Sequence, residues 1–95
     1  MPEAIAIASV SPKDMVAILT ENRRRLVMEV MKRPMTLGEL AVSLQRDRTG
    51  VTKDVKLLER IGLVRTRRES NPGHGVRTVV RAAARRIDIT VTLEG

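Results

Sequence analysis

The pattern of apolar positions is clearest between residues 36 and 64, where it predicts two short helices joined by a tight polar turn. Thr36 with Glu39 three positions later predicts a capping box at the start of the first helix. Asp47 is a suitable N-cap for the second helix, and Gly62 suits a left-handed residue at its end. Each helix has one apolar face at helical spacing, formed by Leu37, Leu40, Ala41 and Leu44 in the first and by Val51, Val55, Leu58 and Ile61 in the second.

The residues before this pair of helices predict two more. Ser11 followed by Pro12 is typical of a helix start, and Thr20 is expected to cap a further helix that runs through Lys32. The Arg23–Arg25 run is interpreted as solvated helix surface, because two acid–base pairs with favourable i,i+4 spacing lie on the same helix: Glu21–Arg25 and Glu29–Arg33.

After Gly62 the apolar period changes from helical to alternating. Residues 63–69 and 76–80 read as two strands around the turn cluster 70–75, and together they predict a hairpin, the wing. The alternation of Ile87, Ile89, Val91 and Leu93 with polar residues predicts one more strand. Residues 1–10 are consistent with a short strand, a frayed helix start or a disordered arm.

The predicted fold class is α+β, mostly helical, with a C-terminal hairpin wing and an extra C-terminal strand. This arrangement resembles a winged helix-turn-helix. The predicted organisation is an N-terminal arm followed by a single domain, with these bounds: arm 1–10, domain 11–95, helix-turn-helix 36–62, wing 63–81 and C-terminal strand 86–93.

Composition excludes several classes of function. The chain of 95 residues contains no Phe, Tyr, Trp or Cys and only one His. The core must therefore be aliphatic, base stacking on aromatic side chains is excluded, and no disulfide or cysteine-ligated zinc site is available. We expect no enzymatic activity, no metal, no cofactor and no evident small-molecule ligand. No apolar run approaches a membrane span, so no membrane association is expected, and the predicted location is the cytoplasm, in association with the nucleoid.

The positive charge is concentrated in one part of the chain. Residues 46–86 hold twelve Lys or Arg and four Asp or Glu, a balance of +8, whereas the whole chain has a net charge of +7. A concentration of cations on the second helix and the segment after it favours contact with phosphates over a generally basic surface. Double-stranded DNA is therefore the expected partner.

The segment 36–64 resembles the helix-turn-helix core of winged-helix transcriptional regulators of the MarR/ArsR-like group. The resemblance is carried by Leu37-x-x-Leu40-Ala41-x-x-Leu44 and by Val51-x-x-x-Val55-x-x-Leu58-Glu59-x-x-Gly62-Leu63-Val64. It implies a recognition helix over residues 47–61 in the DNA major groove and a wing over 65–80 on the backbone or minor groove. The predicted DNA-binding residues are Arg46, Arg48, Thr49, Gly50, Thr52, Lys53, Lys56, Arg65, Arg67, Arg68, His74 and Arg77.

Specific roles are expected for some of these residues. Arg46 and Arg48 can reach guanine or a phosphate, and Lys56 is better placed for phosphate. Gly50 lies either in the first turn of its helix, where glycine costs little, or at a close approach of the backbone to DNA. Glu59 is expected to pair with Lys56, and His74 lies near the wing tip with Arg68.

Regulators of this class usually act as twofold dimers, and a homodimer is predicted here. Three elements are candidates for its interface: the N-terminal helix with Met15, Ile18 and Leu19, the arm at 4–8, and the strand 87–93. The predicted function is a sequence-specific transcriptional regulator, and specifically a repressor. The alternatives are a plasmid-partition accessory protein, an antitoxin, a chromatin-like protein, or a winged helix used for protein contacts.

Overall fold

The computed structural model describes residues 3–95, which form four helices and five strands. The order of elements is β1 (Glu3–Val10), α1 (Pro12–Ile18), α2 (Glu21–Lys32), β2 (Met35–Thr36), α3 (Leu37–Leu44), α4 (Arg48–Ile61), β3 (Val64–Asn71), β4 (Gly75–Ala82) and β5 (Ala84–Val91). Helices hold more residues than strands, so the predicted α+β, mostly helical class is confirmed.

The predicted helix starts are confirmed by their caps. The Thr36 hydroxyl accepts the Glu39 N–H at 3.1 Å, and the Glu39 carboxylate accepts the Thr36 N–H at 3.0 Å, which is the predicted capping box. The Asp47 carboxylate accepts the Gly50 N–H at 3.0 Å at the start of α4. Ser11 and Thr20 cap α1 and α2 in the same way. These caps satisfy N–H groups that have no partner inside the helix.

Positive φ ends both helices of the helix-turn-helix. Gly62 has φ +98° after α4, as predicted, and any other residue type would be strained there. The left-handed conformation at the end of α3 was not predicted, because Gln45 has φ +53° without being glycine. Its left-handed conformation turns the chain sharply and allows Arg46 N–H to bond the Ala41 carbonyl at 3.0 Å.

The core is aliphatic and lies between the helices and the sheet of β2, β4 and β3. Its most deeply buried large side chains are Leu26, Leu40, Leu58, Leu63, Val51, Val64 and Val80. Each such side chain contributes about 1.5–3 kcal/mol when it is fully buried. The apolar stripes predicted for α3 and α4 therefore define the faces that these helices turn inward.

The wing is an antiparallel hairpin of β3 and β4, with Thr66 opposite Val80 and Glu69 opposite Arg77. Its far strand ends at Ala82, and Ala83 donates its N–H to the Leu63 carbonyl at 3.0 Å before β5 begins at Ala84. The C-terminal strand predicted over 86–93 thus starts two residues earlier and ends at Val91.

The arm forms a strand, which decides between the three structures left open by the sequence for residues 3–10. β1 pairs in parallel with β5, with Ala6 opposite Ile87 and Ala8 opposite Ile89. These two strands form a separate two-stranded sheet, which we call the ribbon. Met1 and Pro2, which the prediction also placed in the arm, lie outside the described residues.

The predicted ion pairs on α2 are wrong in their spacing. Glu21 binds Arg24 at 2.9 Å and Glu29 binds Lys32 at 2.8 Å, both at i,i+3. The bond from Lys32, followed by one from the Ser43 hydroxyl, holds the pKa of Glu29 below its ordinary value. Arg24 and Arg25 are exposed as expected, but Arg23 is not simply solvated, because its side chain turns towards α4.

Candidate nucleic-acid interface

The helix α4 has one buried face and one cationic face. Val51, Asp54, Val55 and Leu58 are buried. At 100° per residue, the positions opposite this face are 49, 53, 56 and 60. We call Thr49, Lys53, Lys56 and Arg60 the cationic stripe, and all four are exposed. The stripe is thus directed away from the protein along most of the helix.

Most of the α4 residues that the sequence predicts to contact DNA form no ion pair within the described part of the protein. Arg48, Lys53 and Lys56 form no ion pair with any described acid. Thr52 is half-buried, and its hydroxyl donates to the Arg48 carbonyl at 2.8 Å, so it retains only its acceptor capacity for a ligand. The N-terminal half of the helix is therefore polar, cationic and open.

Arg60 is a member of the stripe that the sequence prediction missed. Its guanidinium lies 3.2 Å from the Asp14 carboxylate of α1, yet 61% of its side chain stays exposed. The signal was present in the sequence, because Arg60 follows Lys53 and Lys56 at helical spacing.

The structure places Arg46, which the sequence predicts to contact DNA, in an ion pair within the protein. Its Nη1 donates to Asp54 Oδ2 at 2.7 Å, and only 20% of its side chain is exposed. Asp54 also accepts the Arg23 Nε–H at 3.1 Å, while Arg23 Nη1 donates to the Ala17 carbonyl at 2.8 Å. One buried carboxylate thus joins the turn before α4, α2 and the end of α1. We call Arg23, Arg46 and Asp54 the buried ionic cluster.

Gly50 lies in the first turn of α4, which is one of the two interpretations that the sequence left open. A Cβ at this position would lie 3.1 Å from Arg46 Nη2 and 3.2 Å from Asp47 Oδ1. The missing side chain therefore makes room for Arg46 to cross the first turn and reach Asp54. This packing accounts for glycine without any ligand.

Glu59 joins the recognition helix to the wing. Its carboxylate accepts the Thr66 N–H at 3.0 Å and the Thr66 hydroxyl at 2.6 Å. The predicted Glu59–Lys56 pair is wrong, and Lys56 is left free for another partner. Because both bonds reach β3, they set the position of the hairpin relative to α4.

The two faces of the hairpin carry different cations. Alternate residues of a strand point to opposite faces, so Arg68 shares the face of Thr66, on the side of α4. Arg65, Arg67 and Arg77 point to the other face. Arg67 and Arg77 both bind Glu69, and the bond from Arg67 in particular holds the pKa of Glu69 below its ordinary value. Arg68 is exposed and forms no ion pair with a described residue.

The hairpin turn presents the single histidine. Gly73 and Gly75 have φ of +81° and +83°, a conformation that favours glycine, and His74 lies between them with its N–H bonded to the Asn71 carbonyl at 2.8 Å. His74 is exposed at the tip of the wing, as predicted.

A groove of 760 Å³ lies between the end of α2 and the far face of the hairpin. Its floor includes Val30 and Val79, and its cations are Lys32, Arg33, Arg65, Arg67, Arg81 and Arg85. Arg65 and Arg81 are directly opposite in the β3–β4 register, which places like charges side by side. Arg81 and Arg85 were not among the predicted site residues, although alternation from Arg77 places Arg81 on the same face.

Ion pairs among the described residues neutralise half of the Lys and Arg side chains, and most of the others lie in one region. Nine Lys or Arg pair with an acid. Of the other nine, two precede the helix-turn-helix, and seven lie between residues 48 and 85: Arg48, Lys53, Lys56, Arg65, Arg68, Arg81 and Arg85. Most of the uncompensated charge therefore lies on α4, the hairpin and the start of β5.

Residues 3–95 offer few other kinds of site. They contain no group of three or more His, Asp or Glu that could hold a metal ion. Among the helices of this part of the chain, none has the length and apolarity needed to cross a membrane.

A family model described as HVO_A0114 matches residues 18–89, which is more than half of the chain. The chain therefore belongs to the HVO_A0114 family. No curated protein matches the sequence significantly.

Several solved structures are similar to the chain. HlyU from Vibrio cholerae N16961 is 21% identical with a TM-score of 0.63, over 74% of this chain and 71% of that chain. Another is the homodimeric winged helix-turn-helix DNA-binding domain of Mb0332 from Mycobacterium bovis, described as a possible ArsR-family transcriptional regulator. It is 21% identical with a TM-score of 0.64, over 76% of this chain and 62% of that chain. The transcriptional regulator HlyU from Vibrio vulnificus CMCP6 is 25% identical with a TM-score of 0.57, over 72% and 68%. These likenesses confirm the predicted winged helix-turn-helix fold.

Proposed function

We propose that this member of the HVO_A0114 family is a transcriptional regulator that binds double-stranded DNA sequence-specifically as a twofold dimer. It would act as a repressor by occupying a promoter. The structural neighbours support the coarser part of this proposal, since one is described as a transcriptional regulator and another as the homodimeric DNA-binding domain of a possible ArsR-family transcriptional regulator. The proposal includes no catalysis, cofactor or effector, and it implies a location in the cytoplasm on the nucleoid.

The observation that carries the proposal is the exposed cationic stripe opposite the buried face of α4. The helix has 14 residues and is about 21 Å long, so it can lie in a major groove about 12 Å wide. Lys53 and Lys56 are available because they form no ion pair with a described acid, and the buried acid of the same helix, Asp54, is already neutralised by Arg23 and Arg46. The helix therefore presents positive charge without an acid on the presented side.

Position along α4 suggests a division of roles. Thr49 and Lys53 lie in the N-terminal half, which enters the groove in helix-turn-helix proteins, so they are assigned to base edges. Arg48 flanks the same end. Lys56 and Arg60 lie further along and are assigned to phosphates, which fix the position of the helix on the duplex.

The wing supplies a second contact through Arg68 and His74. Arg68 is uncompensated and lies on the α4 side of the hairpin, and His74 is exposed at its tip. We assign Arg68 to a phosphate or to a narrow minor groove, where the negative potential is strongest. Arg65, Arg67 and Arg77 face the other way, so their predicted contacts would need DNA that bends around the hairpin.

Selection of bound fragments from random duplexes at stated salt tests the proposal. A defined sequence with two related half-sites is expected. On the selected duplex, Lys53→Ala should weaken binding about tenfold and change the preference at one base position. Lys56→Ala should instead weaken binding to all duplexes alike and lower the slope of the logarithm of the binding constant against the logarithm of the salt concentration by about one.

Arg24→Ala is the matched control, because it removes one exposed cation from α2. It should leave binding nearly unchanged. If Arg24→Ala weakens binding as much as the stripe variants do, or if no sequence is enriched, the proposal of specific recognition through α4 is wrong.

A further inference from the structure

The ribbon of β1 and β5 is an incomplete sheet. Parallel sheets are usually buried on both faces, and two strands alone are marginally stable in water. Here the ribbon has only two parallel strands and one covered face. Ala8 is buried and Ile87 and Ile89 pack on the core, whereas Ile5 and Ile7 on the other face are 54% and 71% exposed.

The two free edges of the ribbon differ in their protection. Proteins commonly place charges on an edge strand to prevent it from pairing with another chain. β5 carries Arg85, Arg86 and Asp88, and the last two form an ion pair at 2.9 Å. β1 has no charged residue between Ala4 and Val10. The β1 edge is therefore the one open to a further strand.

The sequence of β1 is suited to a second copy of itself. Residues 4–8 read Ala-Ile-Ala-Ile-Ala, which is the same in both directions about Ala6. Antiparallel pairing of two such strands about a twofold axis through Ala6 places Ile5 opposite Ile7 of the second copy on one face. The same pairing places alanine opposite alanine on the face that covers the core.

We propose that β1 of two copies pair in this way, so that the two ribbons form one four-stranded sheet in the order β5-β1-β1-β5. A shift of the register by two residues that places Ile5 opposite Ser9 would keep only one Ile–Ile pair, Ile7 with its own counterpart, instead of two. A shift by one residue would invert the faces. The hydrophobic pattern therefore selects a single register.

The inference deepens the proposed function, because it rests on the twofold dimer proposed above and names the element that forms it. It does not depend on DNA binding. Most of the uncompensated cations lie on α4, the hairpin and the start of β5, and residues 4–10 of β1 carry no charge, so pairing at this edge brings no cation of one β1 strand directly against a cation of the other. Assembly can consequently be measured without DNA.

Cysteine cross-linking tests the register, since the natural chain has no cysteine. In the proposed pairing residues 5 and 7 of different copies are directly opposite, with Cβ atoms about 4.5–5.5 Å apart, whereas residue 5 is about 7–8 Å from its own counterpart. A disulfide needs Cβ atoms about 3.5–4.5 Å apart, which the directly opposite pair reaches at the near end of its range and the diagonal pair does not reach. A mixture of Ile5→Cys and Ile7→Cys should therefore form a mixed disulfide dimer under mild oxidation.

Each variant alone is the control and should form little covalent dimer. If either variant alone cross-links as well as the mixture, the register is wrong and the inference is overturned. If the chain is a dimer but the mixture does not cross-link, another element forms the interface, which overturns the inference and leaves the proposed function intact. A monomeric chain overturns the inference and the dimer in the proposed function together.

A charge variant gives an independent measurement. Ile7→Lys replaces an exposed side chain, so folding should be unchanged by circular dichroism, but two lysines would enter the proposed interface. The dimer dissociation constant from sedimentation should rise about tenfold or more. Val42→Lys is the matched control, because Val42 is 79% exposed on α3. An equal effect of both variants, or no effect of Ile7→Lys, would contradict the inference.

Discussion

The buried ionic cluster predicts different roles for two neighbouring arginines of the helix-turn-helix, because Arg46 should stabilise the fold and Arg48 should bind DNA. Arg46 was expected from the sequence to touch DNA, but the structure places it on Asp54 at 2.7 Å with 20% of its side chain exposed. Arg46→Ala should therefore lower the stability of the fold. Arg48, which is exposed and forms no ion pair with a described residue, should affect DNA binding instead.

The magnitude follows from what Arg46→Ala removes. A hydrogen bond to a charged group contributes about 1.5–3 kcal/mol, and breaking a buried ion pair outright costs about 3–5 kcal/mol. The loss should lie near the lower figure, because Asp54 keeps Arg23 at 3.1 Å and is not left without a partner. We expect the free energy of unfolding to fall by about 2 kcal/mol, which corresponds to roughly 8–16 °C in Tm for a domain of this size.

Urea denaturation followed by far-UV circular dichroism is the suitable assay, since the chain has no aromatic residue for fluorescence. Lys53→Ala and Arg48→Ala should stay within about 0.5 kcal/mol of the parent chain. A double-mutant cycle of Arg46→Ala with Asp54→Asn should give a coupling of about 1 kcal/mol or more. If Arg46→Ala leaves stability unchanged and weakens DNA binding as Lys53→Ala does, the assignment of Arg46 to the buried ionic cluster is refuted.

Two further predictions follow from the hairpin and from the cap of α3. Arg68→Ala should weaken duplex binding and reduce its salt dependence, as titration at several salt concentrations would show, whereas Arg67→Ala, whose charge is held by Glu69, should change both much less. The bond from the Thr36 N–H, followed by one from the Arg33 side chain, holds the pKa of Glu39 below its ordinary value of 4.5 in the fold. The carboxylate therefore stabilises the protein above pH 4.5, and this contribution is lost as the pH falls through the lowered pKa. In urea titrations the stability difference between the parent chain and Glu39→Gln should be constant near neutrality and should shrink towards pH 3, and a pH-independent difference would contradict this assignment.

The sequence by itself determined the local structure of the helix-turn-helix. Thr36, Asp47 and Gly62 act within one turn of a helix, so their effects depend on neighbours along the chain and could be predicted. The apolar spacing of α3 and α4 also predicted which faces are buried, because a helix that packs on one side must bury its apolar stripe. The cationic side of α4 follows from the same periodicity.

Only the tertiary structure decided what each charge and each free edge does. Asp54 lies 31 residues from Arg23, so no local pattern could reveal that it holds Arg23 and Arg46 while Arg48 and Lys53 stay free. Likewise the parallel pairing of β1 with β5 joins the two ends of the chain, and its register depends on how both strands pack on a core formed by everything between them. Composition supplies the positive charge, but three-dimensional packing determines which part of it is neutralised inside the protein and which part faces a partner.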